Sequence, residues 1–160
     1  MERCVRLLEA VQRADGYPGR WPADPAAFLR PSGMLAAWVA VAGDAIVGHV
    51  TLRDHIPEHG IPYWAGATGL APGRLACVSR LFVSPDRRGD GLGGALLDAA
   101  SAQARRDGLR AVLDVVDTGS DAIALYERRG WRRVGSVAWD AWGEATTLHY
   151  YVSPPDGAAP

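Results

Sequence analysis

The spacing of apolar and polar residues along the chain predicts helices first and then a series of strands. Val5, Leu8 and Val11 recur at helical spacing, and this pattern predicts a first helix from Glu2 to Ala14. The same periodicities and the turn residues between them predict further helices at 25–29, 95–107 and 122–131, and strands at 35–42, 45–53, 75–83, 110–116, 133–142 and 145–152.

The predicted strands form two hairpins and one parallel pair. Gly43-Asp44 is a Gly-X turn suited to the first hairpin, and Gly143-Glu144 joins the last. The strands at 75–83 and 110–116 are predicted to be parallel, because the helix between them forms a right-handed crossover. The predicted fold class is therefore α/β, with a mixed, mostly antiparallel sheet and helices on both faces.

A long insertion, residues 54–73, is rich in proline and glycine and is predicted to be irregular. Its stretch His55-Ile56-Pro57-Glu58-His59 matches the H-x-x-E-H pattern of zinc hydrolases. That chemistry needs both histidines on a sustained helix, and the breakers here leave room for barely one turn. The pattern therefore favours a solvated loop without metal, in which His55 or Glu58 is a candidate proton acceptor.

The stretch from Leu75 to Leu97 combines a strand, a basic glycine-rich turn and the start of a helix. Ser84-Pro85-Asp86 ends the strand, because proline removes a backbone donor and restricts the residue before it. Arg87 and Arg88 then add positive charge with fork-shaped donors suited to phosphate. Glycines let backbone N–H groups approach a bulky anion, and the first amides of a helix lack intrahelical acceptors. These features predict a cradle for a pyrophosphate group.

Two other phosphate-binding motifs compete for the glycine-rich segment. The phosphate loop of NTPases needs a lysine and a serine or threonine after its last glycine, and Ala95-Leu96 excludes it. The dinucleotide fingerprint G-x-G-x-x-G is matched by Gly89 to Gly94. Its context disagrees, because the polar segment 84–88 separates the strand from the first glycine. This second motif stays open but is disfavoured.

Two sequence blocks resemble the GNAT superfamily of acyl-CoA-dependent N-acyltransferases. In the first, Arg88-x-x-Gly91-x-Gly93 follows a strand that ends Leu81-Phe82-Val83-Ser84-Pro85, as in the family's coenzyme A motif. In the second, residues 122–131 (AIALYERRGW) are similar to the family pattern A-x-x-L-Y-x-x-x-G-F. The blocks occur in the family's order and together span about a third of the chain.

The resemblance implies a site for acetyl-CoA, with no metal. Backbone groups of Leu81, Phe82 and Val83 would pair with the pantetheine arm where the two parallel strands splay apart. The residues expected to bind the cofactor at the turn are Arg88, Gly89, Gly91, Leu92, Gly93 and Gly94. Tyr126 occupies the tyrosine of the second block, and it is expected either to protonate the departing thiolate or only to pack its ring under the arm.

The chain departs from the family pattern at two points. Family members generally begin with a strand before the first helix, whereas this sequence starts almost on the helix. The strand is therefore missing or lies upstream of the first residue given, and a missing strand leaves a sheet edge that predicts a homodimer. Gly119 stands where many members place an asparagine that contacts the cofactor, so the resemblance does not carry that contact over.

Composition and charge limit the classes of partner. The 160 residues suffice for one domain, 1–152, followed by a flexible polar tail, 153–160. The 17 basic and 18 acidic residues are nearly balanced, so nothing indicates nucleic acid or an anionic membrane. The chain has no apolar run of membrane-spanning length and no recognisable signal peptide, and Cys4 and Cys77 have the pattern of reduced core thiols. These observations predict a cytoplasmic protein.

The leading function is transfer of an acetyl group from acetyl-CoA to a primary amine of a small molecule or peptide, by direct attack in a ternary complex. Cys77 is the residue that could instead carry the acyl group, but the sequence places no histidine beside it. The alternative is a catalytically silent acyl-CoA-binding module that acts as a sensor or interaction partner. Tyr17 and Trp21, on a loop dense in breakers, either fill the core or wall the acceptor pocket.

Overall fold

The computed structural model describes residues 1–141 and 143–155. Its helices are α1 (Glu2–Asp15), α2 (Pro25–Phe28), α3 (Ile61–Thr68), α4 (Leu92–Arg106) and α5 (Ser120–Arg128). Its strands are β1 (Met34–Ala42), β2 (Ala45–Arg53), β3 (Leu75–Val83), β4 (Arg110–Val116), β5 (Arg132–Ala141) and β6 (Glu144–Val152). β2, β3 and β4 have the bounds predicted from the sequence. None of the helices in the described part is both long and apolar enough to span a membrane.

The strands of the described residues form one mixed sheet in the order β1-β2-β3-β4-β6-β5. β1 pairs with β2, β4 with β6 and β5 with β6, all antiparallel. β3 and β4 are parallel, and their paired residues are Leu75, Ala76 and Cys77 opposite Arg110, Ala111 and Val112. The connection through α4 permits this pairing, because parallel neighbours need a long crossover. The predicted α/β fold, mostly antiparallel with helices on the faces, is confirmed.

The first of two compact units comprises residues 1–53 and 78–100. α1 turns one apolar face inward at helical spacing, and the resulting core consists of Cys4, Leu7, Leu8, Val11, Leu29 and Phe82. α2 starts where the sequence places a cap, because the Asp24 side chain accepts a hydrogen bond from the Ala27 N–H at 2.9 Å. A fully buried leucine such as Leu8 contributes about 1.5–3 kcal/mol by leaving water.

The second unit comprises residues 54–77 and the described residues from 101 onward. Its core consists of Ile56, Trp64, Leu75, Cys77, Val112, Leu148, Tyr150 and Val152. α3 packs against β5 and β6, where the rings of Tyr63 and Tyr150 stack with centroids 4.6 Å apart. Cys4 and Cys77, both within the described residues, are buried thiols that form no disulfide, as predicted.

The insertion between β2 and β3 contains a helix, so its prediction as irregular was wrong. It contains a 3-10 turn, Glu58–Gly60, followed directly by α3, and a second 3-10 turn, Pro72–Arg74, leads into β3. Pro62 lies in the first turn of α3, where its missing N–H has no intrahelical partner to lose. Gly69 ends the helix with φ 69°, in the left-handed region that glycine adopts freely. The prediction treated every proline and glycine as a breaker and ignored where in a helix each one stands.

Several predicted boundaries shift by one to three residues, including those of the closing hairpin, α4 and α5, which was predicted at 122–131. In the closing hairpin Ala141 pairs with Glu144, so the turn comes one residue earlier than the predicted Gly143-Glu144. Trp142, predicted as the last residue of its strand, lies outside the described residues. α4 begins at Leu92, ahead of the predicted start at Ala95, because the glycines between them still form a first helical turn.

Ser153, the first residue of the predicted C-terminal tail, is buried and hydrogen-bonded. This residue is 6% exposed, and its N–H donates to the Ala111 carbonyl at 2.9 Å. The Arg110 guanidinium Nε also donates to the Ser153 carbonyl, at 3.0 Å. These bonds extend the second unit by one residue beyond β6, and residues 156–160 lie outside the described part.

Adding a methyl group at Gly135 of β5 is expected to destabilise the fold. An added Cβ would overlap the ring of Tyr63, which cannot turn away easily because it stacks on the fully buried Tyr150. Overpacking of this kind typically costs about 1–3 kcal/mol. We therefore expect Gly135→Ala to lower the free energy of unfolding by that amount, measured by urea denaturation.

Gly66→Ala is the matched control, since Gly66 lies within α3 close to the same contact in sequence. An added Cβ at Gly66 meets no described atom within 4 Å. Alanine is the better helix former by about 1 kcal/mol, so this variant should be as stable as the wild type or more so. Equal stability of both variants would mean that Tyr63 is free to move and that the close packing is not a constraint.

The homodimer stays a prediction, and β1 is the surface that would form it. β1 lies at one end of the strand order, and its sequence carries no charged residue. Its exposed side chains include Leu35, Val39 and Val41, of which Val41 is 60% exposed. Uncharged edge strands favour pairing with another chain.

Sedimentation at about 10–50 µM, a range for ordinary dimers, should give twice the 17.0 kDa chain mass, and Val41→Lys should restore the monomer. Wild-type monomer throughout that range would contradict this prediction.

Candidate active site

β3 changes direction just before the residues predicted to bind the pantetheine arm. Arg80 has φ 55°, in the left-handed region that residues with side chains adopt at an energetic cost. Its side chain is anchored, because Nε donates to the Phe28 carbonyl at 3.1 Å and Cζ lies 3.8 Å from the Phe28 ring centroid. A left-handed residue inside a strand re-aims the residues that follow it. Arg80 therefore sets the direction of residues 81–83, and arginine gives no sequence signal of this role.

Two side chains of β2 support the backbone at the same place. His49 Nδ1–H donates to the Arg80 carbonyl at 3.0 Å, and the His49 ring stacks on Phe82 with centroids 5.2 Å apart. Thr51 Oγ1–H donates to the Ser79 carbonyl at 2.9 Å. Burial lowers the pKa of His49, an effect that outweighs the opposing hydrogen bond to Arg80. His49 is thus neutral at pH 7 and is a donor through Nδ1.

The predicted pantetheine-binding residues differ in exposure. Phe82 is 6% exposed and belongs to the core of the first unit, so only its main chain is available to a ligand. Leu81 and Val83 are half-buried. The Ser84 N–H, just beyond the strand, donates to the Val47 carbonyl at 2.8 Å and fixes the point where the cradle begins.

Protonation of His49 is expected to weaken the fold at acid pH. The pKa of His49 is lower in the folded protein than its usual 6.5, so the unfolded state binds the extra proton as the pH falls through that value. The free energy of unfolding should have its full value above about pH 7 and decrease below about pH 6.5. Urea denaturation between about pH 5 and 8 measures the decline. His49→Asn keeps an N–H for the Arg80 carbonyl but cannot titrate, so the decline in stability that His49 causes should be absent from this variant. If the variant and the wild type lose stability in parallel as the pH falls, His49 is not the cause.

The cradle, residues 84–94, combines left-handed glycines with a helix start. Gly89 has φ 85° and Gly91 has φ 78°, and an added Cβ at either would meet no described atom within 4 Å. Side chains are therefore disfavoured here by the backbone, while the space beside it stays open. The Ala95 N–H donates to the Gly91 carbonyl at 3.0 Å and opens the helical bonding pattern of α4. The amides of residues 92–94 precede that bond, at the positive end of the helix dipole.

Both arginines of the cradle contact carboxylates. Arg88 forms a two-pronged ion pair with Asp15 at the end of α1, in which Nη1 lies 2.9 Å from Oδ1 and Nη2 contacts Oδ2. Arg87 Nε donates to Asp90 Oδ2 at 2.7 Å. The four side chains are 32–46% exposed, and ion pairs at such positions add little stability. A phosphate group can therefore replace these carboxylates at small cost. Asp15 was missed by the sequence analysis because nothing near it in sequence marks a site.

Tyr126 on α5 stands in an aromatic cluster of the second unit. It is 7% exposed, and its ring centroid lies 6.1 Å from Trp131 and 5.9 Å from Tyr151. The Tyr151 O–H donates to Glu127 Oε1 at 2.8 Å, and Arg133 Nε donates to the Tyr151 oxygen at 2.9 Å. Burial, followed by the bond to Glu127, raises the pKa of Tyr151. This network fixes the position of Tyr151 beside Tyr126. Whether Tyr126 is a proton donor or a packing residue is decided by experiment.

Gly119 stands directly before α5 and is closely surrounded. An added Cβ would lie 3.0 Å from Val115 Cγ2 and 3.2 Å from the Val116 carbonyl oxygen. Both distances are shorter than ordinary contacts, so a larger residue fits only if its neighbours shift. The glycine at this position, where many family members have an asparagine, therefore agrees with the limited space around it.

His59, Tyr150 and Asp114 come together on one face of the sheet in the second unit. His59 Nδ1 lies 3.0 Å from the Tyr150 oxygen, and Nε2 lies 3.8 Å from Asp114 Oδ2. The His59 ring is 4.9 Å from that of Trp139. Among the described residues, no three His, Cys, Asp or Glu side chains are grouped as a metal ion would need. From the sequence, His59 was interpreted as part of a zinc-like pattern in a solvated loop, whereas its actual partners come from β4 and β6.

A second histidine is buried on the opposite face of β6. His149 is 5% exposed, with Nδ1 2.7 Å from Ser136 Oγ and Nε2 2.9 Å from Asp117 Oδ1. A carboxylate only accepts, so Nε2 carries a proton, and in the neutral ring Nδ1 then accepts from the serine hydroxyl. The contacts tie the β5–β6 hairpin to the segment that leads into α5.

The two loop aromatics named in the sequence analysis have different environments. Tyr17 packs on the core of the first unit, with ring centroids 6.4 Å from Phe28 and 5.9 Å from Phe82. Trp21 is 38% exposed and lines a cavity of about 300 Å³ with residues of α1. Tyr17 therefore fills the core, while Trp21 stays available at the surface.

The mixed α/β sheet, and the glycine-rich segment that leads from β3 into α4, agree with the acyltransferase class suggested by the sequence resemblance. Residues 5–131 match the Acetyltransferase (GNAT) family. The chain belongs to this family, and the resemblance is confirmed. Over 114 residues the chain is 37% identical to the mycothiol acetyltransferase of Geodermatophilus obscurus, with 70% of this chain and 33% of that protein covered. The chain thus spans about a third of the length of this curated relative.

Solved structures of acetyltransferases share the fold. The ribosomal-protein-S18-alanine N-acetyltransferase of Escherichia coli is 15% identical, with a TM-score of 0.68 over 99% of this chain and 89% of that chain. Arabidopsis thaliana NAA60, in complex with acetyl-CoA, is 20% identical, with a TM-score of 0.70 over 92% of this chain and 91% of that chain. At these identities the likeness concerns the fold.

Proposed function

We propose that the protein transfers an acetyl group from acetyl-CoA to a primary amine of a small molecule or peptide. The observation that carries this proposal is the cradle, where left-handed glycines at 89 and 91 lead into the first amides of α4. A diphosphate needs backbone donors within reach and positive charge nearby, and Arg87 and Arg88 supply the charge. Membership of the acetyltransferase family supports acetyl-CoA as the donor.

The cofactor would be bound by main-chain groups more than by side chains. The main chain of Leu81, Phe82 and Val83 would pair with the amide groups of the pantetheine arm as an added strand does. The residues proposed to receive the pyrophosphate are Arg88, Gly89, Gly91, Leu92, Gly93 and Gly94. Because these contacts run along the backbone, substitutions at the glycines should weaken binding mainly by changing φ.

Direct attack of the amine on the thioester is the proposed chemistry. Tyr126 would donate its hydroxyl proton to the sulfur as the C–S bond breaks, which lowers the cost of expelling a thiolate. A covalent acyl-enzyme through Cys77 is disfavoured, because this thiol is 0% exposed and lies in the core of the second unit. The similar proteins have different names, a mycothiol acetyltransferase and a ribosomal-protein-S18-alanine N-acetyltransferase, so no particular acceptor is carried over to this chain.

Thiol release in the presence of a mixed amine library tests the proposal. The chain is incubated with acetyl-CoA with and without the amines, and coenzyme A binding is measured separately by calorimetry. Binding together with amine-dependent thiol release is the expected result. Binding without release would favour the alternative, a catalytically silent acyl-CoA-binding module. Absence of binding would overturn both functions.

A further inference from the structure

The histidine left over from the zinc-like motif has a partner set that suits a proton transfer. His59 follows Glu58 at the start of the inserted helical segment, and its ring reaches β6 and β4. Its Nδ1 is within hydrogen-bond distance of the Tyr150 hydroxyl, at 3.0 Å. When Nδ1–H donates to that oxygen, the other ring nitrogen, Nε2, carries a lone pair that can accept a proton.

Asp114 stands beside that lone pair. Asp114 Oδ2 lies 3.8 Å from His59 Nε2, which is too long for a direct hydrogen bond. Two acceptor atoms at this separation can both bind a single ligand group, provided that the group has several N–H bonds. A primary ammonium has three N–H groups and one positive charge, so it can bridge both atoms and is attracted by the carboxylate. The side chains of His59 and Asp114 are 37% and 25% exposed, so a ligand can reach them from solvent.

Aromatic rings border the same place. Trp139 is 36% exposed with its ring 4.9 Å from His59, and Tyr63 stacks on Tyr150. Aromatic faces attract cations and also bury apolar groups. Tyr150 is fully buried, and its pKa is raised by burial first and then by the charges of Asp114 and Tyr63. It therefore stays a neutral phenol and does not itself compete for the proton.

We propose that Asp114 and His59 bind the ammonium group of the acceptor and that His59 Nε2 removes its proton, with a preference for amines attached to an aromatic or apolar body. This inference rests on the proposed function and names its acceptor class. It replaces His55 and Glu58, the acceptors suggested by the sequence. All three side chains are exposed, and His59 is preferred because its ring is oriented by the contact of Nδ1 with the Tyr150 oxygen.

The amine proton and the leaving group are assigned to different side chains, His59 and Tyr126. The ammonium gives one proton to His59, and its nitrogen then forms the C–N bond as the C–S bond breaks. The sulfur takes the Tyr126 hydroxyl proton, and the second nitrogen proton restores that hydroxyl. The acid and the base therefore do not compete for one proton.

A matched pair of probes tests the binding part without any reaction. The full chain, 13C-labelled, is titrated with 2-phenylethylamine and with 2-phenylethanol, which has the same shape but no charge. Imidazole C–H signals are followed by NMR, and the His59 signal is identified among the four histidines by its loss in His59→Asn. The amine should shift the His59 signal saturably, and the alcohol should bind at least about tenfold more weakly, the size expected for one charge-assisted contact.

Two carboxylate variants give this titration its control. Asp114→Asn should abolish the preference for the amine, whereas Asp54→Asn, which removes an exposed carboxylate from the same inserted segment, should retain it. Equal affinity of amine and alcohol in the wild type would overturn the proposal. So would an amine preference that survives Asp114→Asn, or a shift confined to His55. Circular dichroism establishes that each variant is folded.

The proton-removal part is tested by His59→Asn. Asparagine places a side-chain amide near the position of Nδ1, which can keep the Tyr150 contact, and has no counterpart of Nε2. With the fastest amine of the library as acceptor, kcat should fall by about 10²-fold, the usual size of one acid–base contribution, while coenzyme A affinity stays unchanged. An unchanged kcat would overturn the assignment of His59. Loss of coenzyme A binding by the wild type would instead refute the proposed function, and the amine titration would still stand on its own.

Discussion

Replacing Tyr126 by phenylalanine is expected to lower kcat by about 10²-fold, the usual contribution of one positioned acid. Phenylalanine keeps the ring and its packing on Trp131 and Tyr151, so the change removes only the hydroxyl. A tyrosine is protonated at neutral pH and can donate directly to a departing thiolate. The affinity for acetyl-CoA should be nearly unchanged, because the cradle that would hold the pyrophosphate consists of other residues. Steady-state kinetics with the amine identified by thiol release measures the effect.

Thermal unfolding separates the chemical role of Tyr126 from a structural one. A matched change, Tyr151→Phe, removes a hydroxyl from the same aromatic cluster, where it bonds to Glu127 and Arg133. Tyr151→Phe should lower stability by about 1 kcal/mol, the typical net value of a hydrogen bond, with little change in kcat. If Tyr126→Phe retains full kcat, Tyr126 only packs and the acid lies elsewhere.

Reversing the charge at Arg88 is expected to weaken coenzyme A binding by roughly 10²-fold, which corresponds to about 2–3 kcal/mol for a lost charge-assisted contact. In Arg88→Glu a carboxylate faces the pyrophosphate and also faces Asp15, the present partner of Arg88. Both effects make the cradle more negative. Calorimetric titration with coenzyme A at about 0.1 M salt measures the affinity, and the salt concentration is fixed because exposed charges are screened.

Asp15→Asn is the companion to this experiment. It leaves Arg88 in place and removes the carboxylate that a phosphate would have to replace, so coenzyme A should bind at least as well as to the wild type. Unchanged affinity in a folded Arg88→Glu variant would remove Arg88 from the site. The two variants together distinguish a loss of electrostatic attraction between Arg88 and the pyrophosphate from a general disruption of the cradle.

The strands and their order of connection are predictable from the sequence because each one is short, apolar and bounded by breakers. β3 and β4 match their predicted bounds for this reason, and the Gly-X turn of the first hairpin fixes both of its ends. α3 was not predictable in the same way. A proline or glycine stops a helix in its interior but starts or ends one at its termini, and composition alone does not distinguish these positions.

The candidate site was partly predictable, since the cradle is contiguous in sequence and its glycines follow a known spacing. Arg80 was missed because its left-handed backbone is stabilised by Phe28 and His49, which are distant in sequence. The grouping of His59 with Asp114 was missed because it depends on an inserted helix meeting two strands. Such long-range contacts leave no periodic pattern in the chain.

The separation along the chain of the residues proposed for the coenzyme and for the acceptor has an evolutionary consequence. The residues proposed for the coenzyme are contiguous, 81–94, whereas His59 lies in the segment between β2 and β3. Selection for a new acceptor can therefore act on the segment between β2 and β3, where insertions and exchanges leave the residues proposed for the coenzyme unaltered. Homologous chains that differ in the sequence of this segment should then differ in the amines they accept while they keep the same donor.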